Sequence, residues 1–314
     1  MKIVESAEVY ERLTTDKCLD LMREALVLLE EGKATQPVRA SDYLPQGELF
    51  AFMPAYLGQH DYFGAKLLTS FPQNAGTGWP SFMGYIVLFE SEHGSFVGMA
   101  DSTAVTAIRT GCVSGVATDL LACKDSHVLA ILGAGTQGRS HLPAMLAVRP
   151  GIDDVRIYDI DPQAAERYAA EQGEKYGVPI RACATVAEAV ADADIVCTVT
   201  LAADPILTRS MVKPGCHINA VGAFEPQKRE IATDLVVASK LYADQLEALN
   251  AEAGDYLIPL AEGAITTEHV RGTIGQLLLG QVPGRESDED ITMFEALGLA
   301  VEDVICARYL VAGK

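Results

Sequence analysis

The sequence predicts an α/β protein: a Rossmann doubly wound parallel sheet plus a discontinuous α+β domain with an antiparallel sheet. Three observations predict it. An apolar run, Val128 to Leu132, meets Gly133, Gly135 and Gly138 just ahead of a helix-compatible segment. From residue 127 onward, strand-like apolar runs alternate with Ala- and Glu-rich helical segments, the pattern of a parallel sheet with helices on both faces. Between about 36 and 101 the pattern is instead short extended runs separated by Gly, Pro and Asn.

In chain order, residues 15–31 place Leu19, Met22, Leu26 and Leu29 at helical spacing, with Asp16 positioned to cap the start and Gly32 to end it. Extended runs follow at 49–52, 63–68, 82–89 and 95–100, and Ser91 to Gly94 reads as a hairpin turn. A helix is predicted over 102–123, where Gly111, Ser114, Gly115 and Ala117 permit close packing. Strands are predicted near 128–132, 154–158, 194–199 and 216–221, with weaker ones at 235–238 and 241–243. Pro143 should kink or shorten the helix after the glycine-rich turn. The segment from Asp288 to Val311 reads as helical and as folding back on the N-terminal domain. The expected domains are therefore 1–123, completed by 296–314, and 124–295.

The chain has 314 residues, 49% of them hydrophobic, enough for about two domains with full cores. No apolar run approaches a membrane span, and the N-terminus lacks a signal-peptide pattern. Seven scattered cysteines without a CxxC pair fit reduced thiols and a cytoplasmic location better than a disulfide framework or a zinc site. The histidines are dispersed too, so no metal is expected. A formal net charge of −19 repels nucleic acid and anionic membranes. A small anionic substrate would need a locally basic pocket in that negative field, so cations in apolar surroundings stand out.

The glycine-rich turn has a definite chemical reading. Gly133 permits the tight turn, Gly135 lets the backbone approach a pyrophosphate, and Gly138 lets helix and strand pack closely. Free N–H groups at the helix start then face the phosphates. Asp159 ends the next predicted strand, 21 residues past Gly138. A carboxylate there accepts hydrogen bonds from ribose hydroxyls and repels a 2′-phosphate, which favours NAD over NADP, with NADP still possible. Asp161-Pro162 suits the helix cap and first helical position, and so leaves Asp159 available for the ribose. Three cations are candidates for a carboxylate site: Arg39, Lys66 within the apolar run FGAKLL, and Arg109 in an otherwise uncharged stretch over 102–118. From spacing alone they serve equally well as partners in structural salt bridges.

The segments GWPSFMGYIVLFE, GMADSTAVTAIRTGCVSGVAT, ILGAGTQG, VRIYDID, CTVT, INAVGAFEPQKREI and GRESDEDITMFEALGLAVED occur in order. Together they resemble the ornithine cyclodeaminase/mu-crystallin family over nearly the whole chain. The TAIRTG helix and the GRESDEDITMFEALGLA tail are more specific than the glycine fingerprint. The resemblance implies a homodimer whose N-terminal antiparallel sheets join across the interface, with residues 1–123 serving substrate binding and dimerisation. It also implies an NAD(P)-binding Rossmann domain in each subunit. It places Arg39, Lys66 and Arg109 around a substrate carboxylate. It places Ser81, Arg109, Thr136, Gln137, Asp159, Thr200, Val221, Gly222, Lys228 and Leu297 near the cofactor, with Gly133, Gly135 and Gly138.

One departure matters most. After Val221-Gly222, cyclodeaminases and the related alanine dehydrogenase carry an Asp that acts on the amine and on water; here that position is Phe224. Phenylalanine neither accepts a proton nor orients a nucleophilic water. Glu225 is adjacent, but one residue along a strand end usually points elsewhere. Ala296 also stands where cyclodeaminases often have Ser. Reduction of a preformed, protonated cyclic imine needs less help, because its carbon is already electrophilic. The family includes such reductases, acting on 1-pyrroline-2-carboxylate and 1-piperideine-2-carboxylate, and some carry a GAF-type motif at this position. The leading expectation is therefore a ketimine reductase yielding proline or pipecolate, with Lys66 as the catalytic candidate and Phe224 packed against the substrate ring. The alternatives are an ornithine cyclodeaminase, an alanine dehydrogenase-like enzyme, and a cofactor-regulated binding protein without turnover.

Overall fold

The first strands and helices of the chain form around a mixed sheet. A computed structural model describes residues 2–74 and 77–313. Packing divides the chain into two compact units: Met1–Arg109 with Gly298–Lys314, and Thr110–Leu297. The first unit begins with β1 (Lys2–Val4), α1 (Ser6–Arg12) and α2 (Thr15–Glu30). The Thr14 hydroxyl, not Asp16, caps α2 by accepting from the Lys17 N–H. A cap must have extended backbone, which Thr14 has, whereas Asp16 is already helical and lies in the first turn.

Strands β2 (Ala40–Tyr43), β3 (Leu49–Tyr56), β4 (Tyr62–Ser70), β5 (Phe82–Glu90) and β6 (Phe96–Asp101) follow. They pair as successive antiparallel neighbours, and β1 adds to β6 in parallel, for the order β1-β6-β5-β4-β3-β2. Strand alternation puts Met53, Lys66 and Ile86 in direct register on one buried face. Phe52, Leu67 and Tyr85 are in register on the opposite face, where Phe50, Phe52 and Tyr85 are exposed. The sequence did not announce β2: its four residues ASDY are all exposed and carry no apolar alternation, so only backbone pairing with β3 makes it a strand.

Helix α3 (Ser102–Leu121) belongs to the first unit as far as Arg109 and to the second from Thr110. The second unit then runs β7 (Val128–Leu132), α4 (Thr136–Val148), β8 (Asp154–Tyr158), α5 (Pro162–Tyr176), β9 (Ile180–Ala182), α6 (Val186–Val190), β10 (Ile195–Thr198) and β11 (His217–Ala220). It continues through α7 (Thr233–Ala238), β12 (Ser239–Ala243), α8 (Leu246–Glu252), α9 (Gly254–Ala261), β13 (Val270–Thr273), α10 (Ile274–Leu278) and β14 (Ile291–Glu295). All eight strands are parallel, in the order β13-β12-β14-β11-β10-β7-β8-β9. The glycine-bearing strand β7 thus lies between β8 and β10, where strand order reverses and an open α/β sheet has its crevice. The Asp161 carboxylate caps α5 with Pro162 in its first turn, as its sequence predicts. Pro143 lies inside α4, which continues to Val148.

Two further expectations are corrected. Residues 235–238 are not a strand but part of α7, with Leu235 and Val236 buried and Val237 exposed. A four-residue apolar run is ambiguous between the two states, and its packing decided it. The tail is not one helix. Ile291–Glu295 forms β14, inserted between β11 and β12, and all five residues are buried. A strand covered on both faces has no alternation to read. The chain then re-enters the first unit as α11 (Ala300–Ala307) and one π-helical turn, Arg308–Ala312. Helix α11 is buried throughout and packs on α2, β3, β4 and β5. Among the described residues no helix is long and apolar enough to cross a membrane, no acidic, histidine or cysteine group fits a metal, and no disulfide forms.

Candidate active site

The buried face of β4 points Lys66 at α11. Its ammonium lies 2.9 Å from an Asp303 carboxylate oxygen and donates to the Thr106 hydroxyl at 3.3 Å. Arg109, on α3, donates through Nε to the other Asp303 oxygen at 3.2 Å and through Nη1 to Glu302 at 2.8 Å. The four charged side chains are buried, so the two consecutive acids of α11 hold two cations out of water. Burial lowers the Lys66 pKa to about 8; Asp303 works against that shift, and the charges of Arg109 and Arg39 reinforce it. Burial also works against the charge on Arg109, but Asp303 and Glu302 outweigh it and hold its pKa above the ordinary value. Arg39 is within electrostatic reach of Lys66.

In the second unit, the loop after β7 is shaped for a phosphate. Gly133 has φ +118, a conformation that L side chains rarely adopt, and a Cβ there would lie 2.8 Å from the Val199 carbonyl oxygen. A Cβ on Gly135 would meet nothing within 4 Å, so this backbone is open to a ligand. Gly135 is also the cap of α4, and no side chain caps that helix. The N–H groups of Thr136, Gln137 and Gly138 thus open the helix with the dipole behind them. The buried Gln137 Oε1 has no hydrogen-bond partner. This open backbone, uncapped helix and orphaned acceptor fit a dinucleotide.

Asp159 closes the loop from the β8 side. One carboxylate oxygen accepts from Ala134 N–H at 2.7 Å and the other from Asp161 N–H at 2.9 Å. Its charge is fixed at the strand end, although both oxygens already hold the loop in shape. Ile160 and Leu201, at 91% and 86% exposure the most exposed large apolar residues described, follow β8 and β10, the strands flanking β7.

The remaining candidates sit on other loops. Thr200 follows β10, and Val221 and Gly222 follow β11; Val221 N–H donates to Thr198 O at 3.0 Å. Leu297 N–H donates to Asp244 at 2.7 Å. Phe224 is half-buried. Glu225 is tied within its own loop: Lys228 pairs with one of its oxygens at 2.5 Å and Gln227 donates to the other at 2.9 Å. Ser81 lies in the first unit, just ahead of β5, where its carbonyl accepts from Phe71 N–H. Sequence reading missed a group of buried acids in the second unit: Glu230, Asp244, Asp255 and Glu295. Burial, then their mutual charge, raises Glu295 and Asp255 well above the carboxylate range. Nothing in a linear pattern signals carboxylates that only the fold assembles.

The parallel sheet, its crevice at β7 and the glycine-rich loop define a Rossmann-type dinucleotide-binding fold. The pattern of the ornithine cyclodeaminase/mu-crystallin family matches residues 1–312, and the chain belongs to that family. Mouse ketimine reductase mu-crystallin is 37% identical over 280 residues, 88% of this chain and 85% of that protein. The fold is that of a solved Δ1-pyrroline-2-carboxylate reductase from Thermococcus litoralis, in complex with NADH and L-proline. The TM-score is 0.95 at 32% identity, covering 99% of this chain and 97% of that one. An archaeal alanine dehydrogenase dimer with bound NAD gives a TM-score of 0.92 at 32% identity, covering 99% and 94%.

Proposed function

We propose that the chain is an NAD(P)-dependent oxidoreductase, and that it reduces a small cyclic imine carboxylate with NADH. The substrate is 1-pyrroline-2-carboxylate or 1-piperideine-2-carboxylate, and the product proline or pipecolate. The observation that carries this reading is Lys66 and Arg109 buried side by side on Asp303 and Glu302, in a chain whose Phe224 stands, by the family resemblance, where cyclodeaminases carry an acid–base Asp. When bound, the nicotinamide cofactor supplies the hydride. Arg39, Lys66 and Arg109 hold the carboxylate, which fixes the adjacent C=N carbon. A protonated imine takes the hydride at carbon and becomes the neutral amine without further proton transfer. With a neutral imine, the Lys66 ammonium is the proton source at nitrogen, and its pKa of about 8 suits that exchange at neutral pH.

Asp159 supports NADH over NADPH, because a 2′-phosphate meets its charge. Ile160, beside Asp159, is the apolar surface for the adenine. The occupant of the exposed aromatic face of the first sheet (Phe50, Phe52, Tyr85) is a second copy of the chain, a reading supported by the dimeric archaeal relative. The test is purified chain with each imine and each cofactor, followed by NADH or NADPH absorbance. Loss of NADH with a cyclic imine is expected. No loss with either cofactor, or ammonia released from ornithine without net NADH change, overturns the proposal. The archaeal dehydrogenase keeps a second reading in view, which the same assay tests with pyruvate and ammonia as substrates.

A further inference from the structure

Glu230 is fully buried in the second unit, and no salt bridge to it is found among the described residues. Donors converge on its carboxylate instead. One oxygen accepts from Thr200 N–H at 2.7 Å and from the Thr200 hydroxyl at 2.6 Å; the other accepts from Gly222 N–H at 2.8 Å. Its own backbone joins the same knot: Glu230 N–H donates to Asp255, and its carbonyl accepts from Ile206 and Leu207. The packing leaves no slack, since a Cβ on Gly222 would lie 2.3 Å from the Thr200 carbonyl and 2.5 Å from a Glu230 oxygen.

The two loops it grips leave the C-terminal ends of β10 and β11. These strands lie on one side of β7, and the Asp159 strand β8 lies on the other. In a sheet of this kind the adenosine half of a dinucleotide takes the β8 side and the nicotinamide half the β10–β11 side. A buried carboxylate is an unfavourable way to fill a core, and an apolar side chain of like volume commonly serves stability as well or better. A carboxylate at this place asks for a reason other than stability.

We infer that Glu230 is a positioning residue for the nicotinamide half of the cofactor: by fixing Thr200 and Gly222 it sets the two loops on which that half rests. This rests on the dinucleotide reading proposed above. Burial pushes the Glu230 carboxyl upward, and the Thr200 and Gly222 donors pull it back toward the anion. Glutamine cannot reproduce the two acceptor oxygens, because its NH2 must face either the Gly222 N–H or the Thr200 donors.

The experiment compares two probes on the full-length chain: NADH, and ADP-ribose, which lacks the nicotinamide. Glu230→Gln should weaken NADH by at least tenfold and leave ADP-ribose within about twofold. Thr200→Ala, which removes only the hydroxyl donor, should act in the same sense by a few-fold, and decides the matter if Glu230→Gln fails to fold. An unchanged NADH affinity in a folded variant, or equal losses for both probes, overturns the inference. A wild-type chain that binds neither probe overturns the dinucleotide reading itself, and this inference with it.

Discussion

Raising the pH should remove the grip on the substrate carboxylate while the fold gains stability, and the opposite signs make the prediction sharp. The group responsible is Lys66, whose pKa falls from 10.5 to about 8 because it is buried. About nine-tenths of it is charged at pH 7 and about one-tenth at pH 9. Pyrrole-2-carboxylate, a planar analogue without a basic nitrogen, should therefore bind about tenfold more weakly at pH 9 than at pH 7. Stability moves the other way. Between about 8 and 10.5 the unfolded chain binds the Lys66 proton and the folded chain does not, so unfolding free energy rises with pH across that window. The rise from this one group is at most about 3 kcal/mol. Isothermal titration of the analogue, beside urea unfolding at the same pH values, reads both. Lys66→Met should weaken the analogue about 10- to 100-fold at pH 7 and abolish the break. A dissociation constant that stays flat from pH 7 to 9.5, or the same break in Lys66→Met, refutes the reasoning.

Gly135→Ala should lower Tm by no more than about 3 °C, since its Cβ meets open space, yet weaken NADH at least tenfold. Gly133→Ala should lose stability first, because of its positive φ and the nearby Val199 carbonyl; calorimetry beside NADH titration separates the two. Asp159→Ser should shift the NADPH-to-NADH affinity ratio by at least tenfold toward NADPH, measured by fluorescence titration of both cofactors. Glu295→Gln should raise Tm by a few degrees at pH 8 and flatten its pH dependence. A buried carboxyl with a raised pKa contributes stability that is lost as pH rises, and glutamine removes that dependence. An unchanged thermal profile between pH 5 and 8 would count against the raised pKa of Glu295.

The parallel half was legible because its signals are local. An apolar run ending in three spaced glycines fixes β7 and α4, and an Asp-Pro pair fixes the start of α5, with no help from distant residues. The antiparallel strands β3 to β6 were legible for the same reason, through turns and extended runs. What failed was every element whose state depends on what covers it. The run ITMFE became β14 because β11 and β12 flank it, and LVVA became a helix because one side of it is buried. Arg39, Lys66 and Arg109 were visible as isolated charges in apolar surroundings. The partners of Lys66 and Arg109 were not, because Glu302 and Asp303 lie some 190 residues or more beyond Arg109 in the chain.

The sequence by itself determined the glycine-rich loop of a Rossmann-type fold, a few charges set in apolar runs, and membership of the ornithine cyclodeaminase/mu-crystallin family. Short-range chemistry writes such features directly, since a turn or a charge needs only its immediate neighbours. Only the tertiary structure decided that α11 returns to seat Lys66 and Arg109, and that Glu230 ties two strand ends together. Both depend on burying charge, and whether a charge is buried depends on the whole fold and not on the residues beside it in the chain.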